Sequence, residues 1–142
     1  MAHPPADAIC QFVPPFLRFL RQGLAELGMS PARFQIMQAL SNGQARSMVD
    51  LAQQLSVTKR NITTLADGLE KDGLAVRRPH PTDRRSTLVK LTKRGEAVFA
   101  EAAKVQMKHL ADLLDDLEPE EQEAMAYALT HLTKVLALKL EV

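Results

Sequence analysis

Two polar clusters in the middle of the chain carry side chains suited to recognising a phosphate polymer. The first combines two cations, an amide and two hydroxyls, with no carboxylate among them: Lys59, Arg60, Asn61, Thr63 and Thr64. Lysine and arginine neutralise phosphates or read guanine, asparagine reads adenine, and threonine contacts phosphate or the thymine methyl group. This composition favours a surface that binds duplex DNA. The alternative is a solvated helix face with no recognition role.

The second cluster, Asp83-Arg84-Arg85, ends a loop that begins at Pro79. A carboxylate two residues away from a guanidinium can hold its planar fork in one pose. A narrow A·T-rich minor groove attracts such a cation. The cluster is therefore a basic loop tip whose chemistry suits contact with nucleic acid, and the alternative is an ordinary polar hairpin loop.

Charge is divided unevenly along the chain. The 142 residues have a net charge of +1, but residues 44–96 carry +5 and the remainder carries −4. A basic middle between acidic or neutral ends indicates one segment that faces phosphate and another with a different role. The alternative explanation is chance, together with an acidic surface stretch at residues 112–123.

Composition indicates an ordinary globular protein of one domain. Apolar residues make up 46% of the chain and charged residues 25%, and no apolar run approaches the roughly 18 residues that a membrane span needs. The start lacks the basic-then-apolar pattern of a secretory signal, and the single Cys10 cannot form an internal disulfide. We therefore expect a soluble protein of the cytoplasm with no membrane partner.

Apolar periodicity predicts the elements that position the two clusters. Helical spacing predicts helices near residues 14–28, 31–42, 47–55, 58–72, 92–117 and 119–140, and alternation predicts a hairpin of strands at 74–78 and 86–91. Pro14-Pro15 interrupts the first apolar pattern, because proline disfavours helix in the preceding residue and cannot donate to the helical ladder. The first regular helix is therefore expected to begin near Pro14, with residues 8–13 as an arm or a kinked extra turn.

The two short helices at 47–55 and 58–72 define the fold class. Ser47 and Thr58 are placed to cap them, as Ser30 is for the helix at 31–42, and Gly73 supplies the left-handed residue that closes the helix at 58–72. This second helix buries three apolar residues, Ile62, Leu65 and Leu69, and so turns the first cluster outward, toward a major groove wide enough to admit it. We predict a mainly α fold with a small β-hairpin wing: a winged helix-turn-helix with flanking dimerisation helices.

Two motifs resemble those of the MarR (multiple antibiotic resistance regulator) family of transcription regulators. Residues 47–74 read SMVDLAQQLSVTKRNITTLADGLEKDGL, and residues 83–95 read DRRSTLVKLTKRG. The second stretch is similar to the family's wing signature, with Asp-x-Arg at the tip and Leu-Thr-x-x-Gly leading into the next helix. The resemblance in organisation covers nearly the whole chain. It implies a homodimer that places the helix at 58–72 in successive major grooves and its wing tips in the flanking minor grooves.

The resemblance also implies roles for single residues. Arg85 matches the family's minor-groove arginine, Arg84 lies beside it, and Asp83 matches the residue that orients that arginine. The predicted DNA-binding set is Ser47, Thr58, Lys59, Arg60, Asn61, Thr63, Thr64, Asp83, Arg84 and Arg85.

The end helices are more apolar than a monomer needs. The last helix places four apolar residues at 4-3-4 spacing: Met125, Leu129, Leu132 and Leu136. Because a terminal helix with more than one apolar stripe needs a partner, we predict that residues 1–28 and 96–142 form dimerisation helices around a DNA-binding lobe at 29–95. Two-fold symmetry then makes the expected target a pseudo-palindrome with half-sites ~10 bp apart. One larger monomeric core is the alternative.

Control by a small molecule is implied by the same resemblance. Ligands of the family settle between the dimerisation helices and the DNA-binding lobe, where four residues would line the site: Phe16, Leu20, Phe34 and Met37. The alternative is that these four simply form core. Some members sense peroxides through an N-terminal cysteine, which makes Cys10 a possible redox switch. Its apolar neighbours favour the alternative, in which Cys10 is a small buried hydrophobe with no redox role.

These observations predict a sequence-specific repressor that a small molecule releases from duplex DNA. The alternatives are a winged-helix module that binds a protein and not DNA, and a redox regulator that acts through Cys10. The four histidines share no ligand spacing such as i, i+4, so no metal or cofactor is expected. With no Gly-rich phosphate loop and no nucleophile beside a base, we expect no enzyme activity.

Overall fold

Helices dominate the computed structural model, which describes residues 1–140. In chain order the described elements are α1 (Pro4–Ala25), α2 (Pro31–Ala39), β1 (Arg46–Ser47), α3 (Met48–Leu55), α4 (Lys59–Lys71), β2 (Ala75–Pro79), β3 (Thr87–Leu91), α5 (Lys93–Leu114) and α6 (Pro119–Leu140). The chain divides into two compact units, Met1–Gln106 and Met107–Val142. The predicted class, mainly α with a small wing, is confirmed.

Helix α1 begins ten residues earlier than predicted, at Pro4 and not near Pro14. The imidazole Nδ1 of His3 accepts the amide of Ala6 at 3.2 Å and caps the helix, and proline is tolerated in the first turn because its missing N–H has no partner there. Pro14 and Pro15 remain inside the helix. The carbonyls that lose their partners belong to exposed residues, where water can bond them, so the prolines do not end the helix.

The helix caps in the first unit follow the predicted residues. Ser30 Oγ accepts the amide of Arg33 at 3.1 Å, Ser47 Oγ accepts that of Asp50 at 3.0 Å, and Thr58 Oγ1 accepts that of Asn61 at 3.0 Å. At the other end of α4, the left-handed Gly73 (φ 74°) closes the helix. The amide of Leu74 donates to the carbonyl of Leu69, five residues earlier, at 2.9 Å, and this is the wider-spanning of the two hydrogen bonds of a Schellman motif.

The core of the first unit lies among α2, α3, α4, the sheet and the first part of α5. Its largest fully buried side chains are Ile36, Met37, Leu40, Leu51, Ile62, Leu69 and Val89. Of the three α4 residues predicted to face inward, Ile62 and Leu69 are fully buried and Leu65 is half-buried. The opposite face of α4 is therefore turned to solvent, as the amphipathic pattern predicts.

The wing belongs to a three-stranded antiparallel sheet with strand order β1-β3-β2. Arg77 of β2 is opposite Val89 of β3, and Pro79 is opposite Thr87. Strand β1, which was not predicted, pairs Arg46 with Val89 and ties the start of α3 to the wing. With only two residues it shows no alternation that a sequence pattern could detect.

In the second unit, α6 begins at Pro119 and extends to Leu140, as predicted. Within this helix no side chain is fully buried, and the apolar residues Leu129, Leu132, Leu136 and Leu138 are between 39% and 82% exposed. None of the helices among residues 1–140 combines the length and apolar character that crossing a membrane requires.

Candidate nucleic-acid interface

A tight turn between α3 and α4 sets the direction of the recognition helix, α4. Ser56 adopts a left-handed conformation (φ 54°) that is uncommon for a residue other than glycine. The next amide, that of Val57, donates to the carbonyl of Ala52 at 3.0 Å. Thr58 then caps α4, so each residue between the two helices has a defined role in the turn.

The first two turns of α4 present the predicted polar cluster to solvent. Lys59, Arg60, Asn61, Thr63 and Thr64 are all exposed, and the first turn contains no acidic residue. The Thr63 and Thr64 hydroxyls donate to the carbonyls four residues earlier, at 2.8 and 3.1 Å, and each hydroxyl oxygen still has lone pairs that can accept. The unpaired amides and positive dipole at this helix end add to the attraction for anions.

The tip of the wing is a network of hydrogen bonds beneath two exposed arginines. The amide of His80 donates to the carbonyl of Ser86 at 3.0 Å, and the amide of Ser86 donates to the carbonyl of Asp83 at 3.1 Å. Arg84 and Arg85 are both exposed. The structure therefore orders the backbone of the loop and leaves both guanidinium groups at its surface.

Asp83 contacts the backbone of Arg85 and not the guanidinium fork that the chemistry of the two side chains suggested. Its Oδ1 accepts the backbone amide of Arg85 at 3.0 Å, and across residues 1–140 it makes no ion pair with a guanidinium. A side chain two residues earlier is well placed for this Asx-type bond to the backbone. Asp83 thus orders the backbone that carries Arg85 and leaves the charged group free to meet a ligand.

A cleft of about 580 Å³ lies between the helix pair and the wing. Lys59 and Thr63 line it from α4, and Arg85 lines it from the wing. Its lining also includes apolar residues of α3 and the turn after it: Met48, Val49, Ala52 and Val57. The structure thus brings one or two members of each polar cluster to one cleft, whereas the other members do not line it: Arg60, Asn61, Thr64, Asp83 and Arg84. Ser47, the remaining predicted site residue, is half-buried and caps α3.

Arg77 joins β2 to the recognition helix, and the sequence patterns did not single it out. Its guanidinium pairs with the carboxylates of Asp67 and Glu70, and its backbone amide donates to Glu70 Oε2 at 3.2 Å. The side-chain hydrogen bond from Arg77 lowers the pKa of Glu70 below its ordinary value and raises the pKa of Arg77. Strand alternation, which places Arg77 on the same face as the buried Ala75, is the signal that could have found it.

The residues predicted to line an effector site lie in different surroundings. Phe16 and Leu20 are half-buried on α1. Phe34 is half-buried and its ring centroid is 5.2 Å from that of Phe99. Met37 is fully buried in the core of the first unit, so a ligand would reach it only if its neighbours moved.

Cys10 is exposed, which corrects the expectation of a small buried hydrophobe. The physical reason is the early start of α1: all residues from 4 to 15 lie on exposed turns of this helix, away from the chain's own core. Across residues 1–140, no group of three or more His, Cys, Asp or Glu side chains is placed to hold a metal ion.

Known proteins are similar to this chain in sequence. A family model described as "MarR family" matches residues 27–86. An uncharacterised helix-turn-helix-type transcriptional regulator of Bacillus subtilis, YfiV, is 31% identical over 111 residues, which cover 78% of this chain and 69% of that protein.

Two solved structures extend the likeness to the whole fold. The transcriptional regulator BldR of Sulfolobus solfataricus is 32% identical with a TM-score of 0.76, covering 93% of this chain and 91% of that one. The transcriptional repressor CouR, solved bound to a 23-mer DNA duplex, is 28% identical with a TM-score of 0.72, covering 84% and 87%. The chain belongs to the MarR family of helix-turn-helix transcription regulators.

Proposed function

We propose that this chain acts as a homodimer in the cytoplasm, binds pseudo-palindromic duplex DNA and represses transcription until a small molecule releases it. In this proposal residues 29–95 form the DNA-binding lobe, and residues 1–28 and 96–142 form the dimerisation helices. Helix α4 enters the major groove, and Arg85 of the wing, with Arg84 beside it, enters the neighbouring minor groove.

The observation that carries the proposal is the convergence of Lys59, Thr63 and Arg85 on one cleft. All three side chains can donate to phosphate or to base edges. In the related CouR the bound ligand is a DNA duplex, which supports the same ligand for this chain. A module that binds only proteins would have no need for exposed cations on both the helix and the wing.

Exposed apolar surface on α1 and α6 supports the dimer. On α1, Ile9, Phe12 and Leu17 are between 47% and 50% exposed, and α6 exposes Leu132 and Leu136 to similar degrees. Large apolar side chains on whole helix faces favour contact with a second copy, because burying them removes apolar area from water. Two-fold symmetry then places two copies of α4 along one duplex.

Release by a small molecule would act through an apolar site on the first unit. The predicted lining residues are Phe16, Leu20, Phe34 and Met37, of which the first three are half-buried. An apolar ligand would contact Phe16, Leu20 and Phe34, and would reach the buried Met37 only if its neighbours moved. Such a ligand would shift the dimer toward a form that binds DNA less well, if it binds that form more tightly. The protein would recognise the inducer by its shape and by apolar contact.

Selection of bound fragments from the source genome, followed by fluorescence anisotropy, tests the proposal. We expect a palindromic fragment whose affinity falls steeply with salt as counterions are released. Arg85→Ala should weaken binding about tenfold or more, since a base-edge contact contributes on the order of 1–3 kcal/mol. Lys71→Ala is the matched control: it removes a cation about 18 Å along the same helix from Lys59 and should change affinity less than twofold. Equal affinity for Arg85→Ala and wild type would exclude the proposed mode.

A further inference from the structure

We propose that His80 is a positioning residue for DNA binding: its imidazole Nδ1 holds the wing-tip turn in the form that presents Arg84 and Arg85. The inference rests on the proposed function and adds a residue to it. His80 belongs neither to the predicted DNA-binding set nor to the cleft between α4 and the wing.

The contacts of one ring nitrogen carry the inference. His80 Nδ1 is 3.1 Å from the amide nitrogen of Asp83 and 3.2 Å from that of Thr82. The Thr82 hydroxyl oxygen lies 3.3 Å from the same atom. Because a backbone amide can only donate, Nδ1 acts as the acceptor in these contacts, which fits the tautomer with its proton on Nε2.

A chain of hydrogen bonds connects this ring to the arginines. Asp83, whose amide His80 accepts, in turn accepts the amide of Arg85 through Oδ1 at 3.0 Å. The backbone amide of His80 donates to Ser86 on the far side of the loop at 3.0 Å. His80 thus touches both ends of the segment that carries the arginines and acts on DNA through Asp83 and Arg85.

The loop has few other ways to order itself. Pro79 and Pro81 flank His80 and have no amide hydrogen, and the tip residues from 81 to 85 are exposed. If the ring were absent, the amides of Thr82 and Asp83 would donate hydrogen bonds to water, and the tip would sample more conformations. That conformational freedom would have to be lost again on binding, which weakens affinity.

The test compares His80→Ala with His80→Asn in the full chain, by anisotropy on the selected DNA fragment. Asparagine has a carbonyl oxygen that can accept the same amides in an Asx turn, whereas alanine has no acceptor. We expect His80→Ala to bind about fivefold more weakly than wild type and His80→Asn to bind within twofold of it. An alanine variant as tight as wild type, or an asparagine variant as weak as the alanine variant, overturns the inference.

A second readout needs no DNA. Long-range proton–nitrogen NMR of the histidine rings, with the His80 signals identified by their loss in His80→Asn, reports which nitrogen has the proton. The inference requires Nε2–H with an unprotonated Nδ1, together with shifted Thr82 and Asp83 amides in His80→Ala but not in His80→Asn. A ring protonated at Nδ1 overturns it. If wild type failed to bind DNA, the proposed function would fall, and these signals would still decide the role of His80 in the tip.

Discussion

Gly95 is packed against the end of the recognition helix so closely that no side chain fits there. A Cβ at this position would overlap the carbonyl oxygen of Leu74. The Gly95 amide donates to Thr92 Oγ1 at 3.0 Å, and the same hydroxyl donates to the carbonyl of Gly73 at 2.7 Å. These few residues fasten the start of α5 to the end of α4.

Gly95→Ala is expected to lower the free energy of unfolding by about 2–4 kcal/mol, because the backbone of Leu74 must move to admit the methyl group. Urea denaturation measures the change. Gly68→Ala is the control in another helix: its Cβ would meet only the flexible end of Arg33 at 3.0 Å. That variant should differ from wild type by less than about 0.5 kcal/mol, since alanine favours helix and offsets the small adjustment. Equal losses in both variants would contradict this packing argument.

At the same scale, local chemistry decided which residues were predictable. Ser30, Ser47 and Thr58 were identified as caps because their bonds reach only three residues along the chain. Arg77 was missed because its partners lie on another element. The exposure of Cys10 was missed because it depends on how far α1 extends beyond the core, which its apolar neighbours do not reveal.

Between elements, the pairing of Arg77 with α4 ties the wing to the recognition helix. Both carboxylate partners lie on one face of α4, and Arg77 is at the position of β2 opposite the buried Val89. The wing and α4 therefore share an ionic contact in addition to the apolar core beneath it. Their relative orientation determines how α4 and Arg85 could enter neighbouring grooves.

This contact predicts a dependence of stability on pH. The pKa of Glu70 is lowered in the folded chain, chiefly by its hydrogen bond from the Arg77 side chain. A carboxyl group with a depressed folded pKa stabilises the fold above its unfolded pKa, and this stabilisation is lost as pH falls through the folded value. Relative to Glu70→Gln, wild type should therefore lose stability as pH falls below the ordinary pKa of a glutamate, about 4.3, as measured by the denaturation midpoint in urea.

Glu101→Gln, which removes an exposed carboxylate of α5, serves as the control for that series. It should show the same acid loss as wild type, because Glu70 and Arg77 remain intact. Identical pH profiles for wild type and Glu70→Gln would show that the Arg77 contact adds nothing to stability.

Element boundaries were predicted where a cap or a change of period marks them. Helix α4, the two wing strands and α6 lie within a few residues of their predicted positions. The predicted start of α1 was wrong, because prolines in an exposed helix cost only hydrogen bonds that water can replace. Strand β1 exists because β3 offers it an edge, and no pattern within Arg46–Ser47 encodes that partner.

At the scale of the whole molecule, the sequence predicts that two chains associate but does not show which surfaces they use. The apolar stripes on α1 and α6 were readable as periodicity, and the structure leaves them exposed on the single chain. Which faces meet depends on a second copy. The division into a lobe at 29–95 and dimerisation helices at 1–28 and 96–142 therefore remains a prediction.

Light scattering coupled to size-exclusion chromatography tests the dimer. Wild type should have twice the 15.7 kDa mass of the chain, and Leu132→Glu combined with Leu136→Glu should have the mass of one, because two charges in an apolar interface are costly to bury. Gln38→Glu adds charge at an exposed position of α2 and should leave the mass doubled. A wild type of single mass would remove the two-fold arrangement.

Hydroxyl-radical footprinting of the selected operator tests the central claim most directly. A dimer that places two α4 helices and two wing tips on one side of a duplex should protect two half-sites ~10 bp apart, with minor-groove protection on both flanks. In Arg85→Ala at saturating protein, the flanking protection should disappear while the central protection remains. A single protected patch, or flanks that are unchanged in Arg85→Ala, would contradict the account.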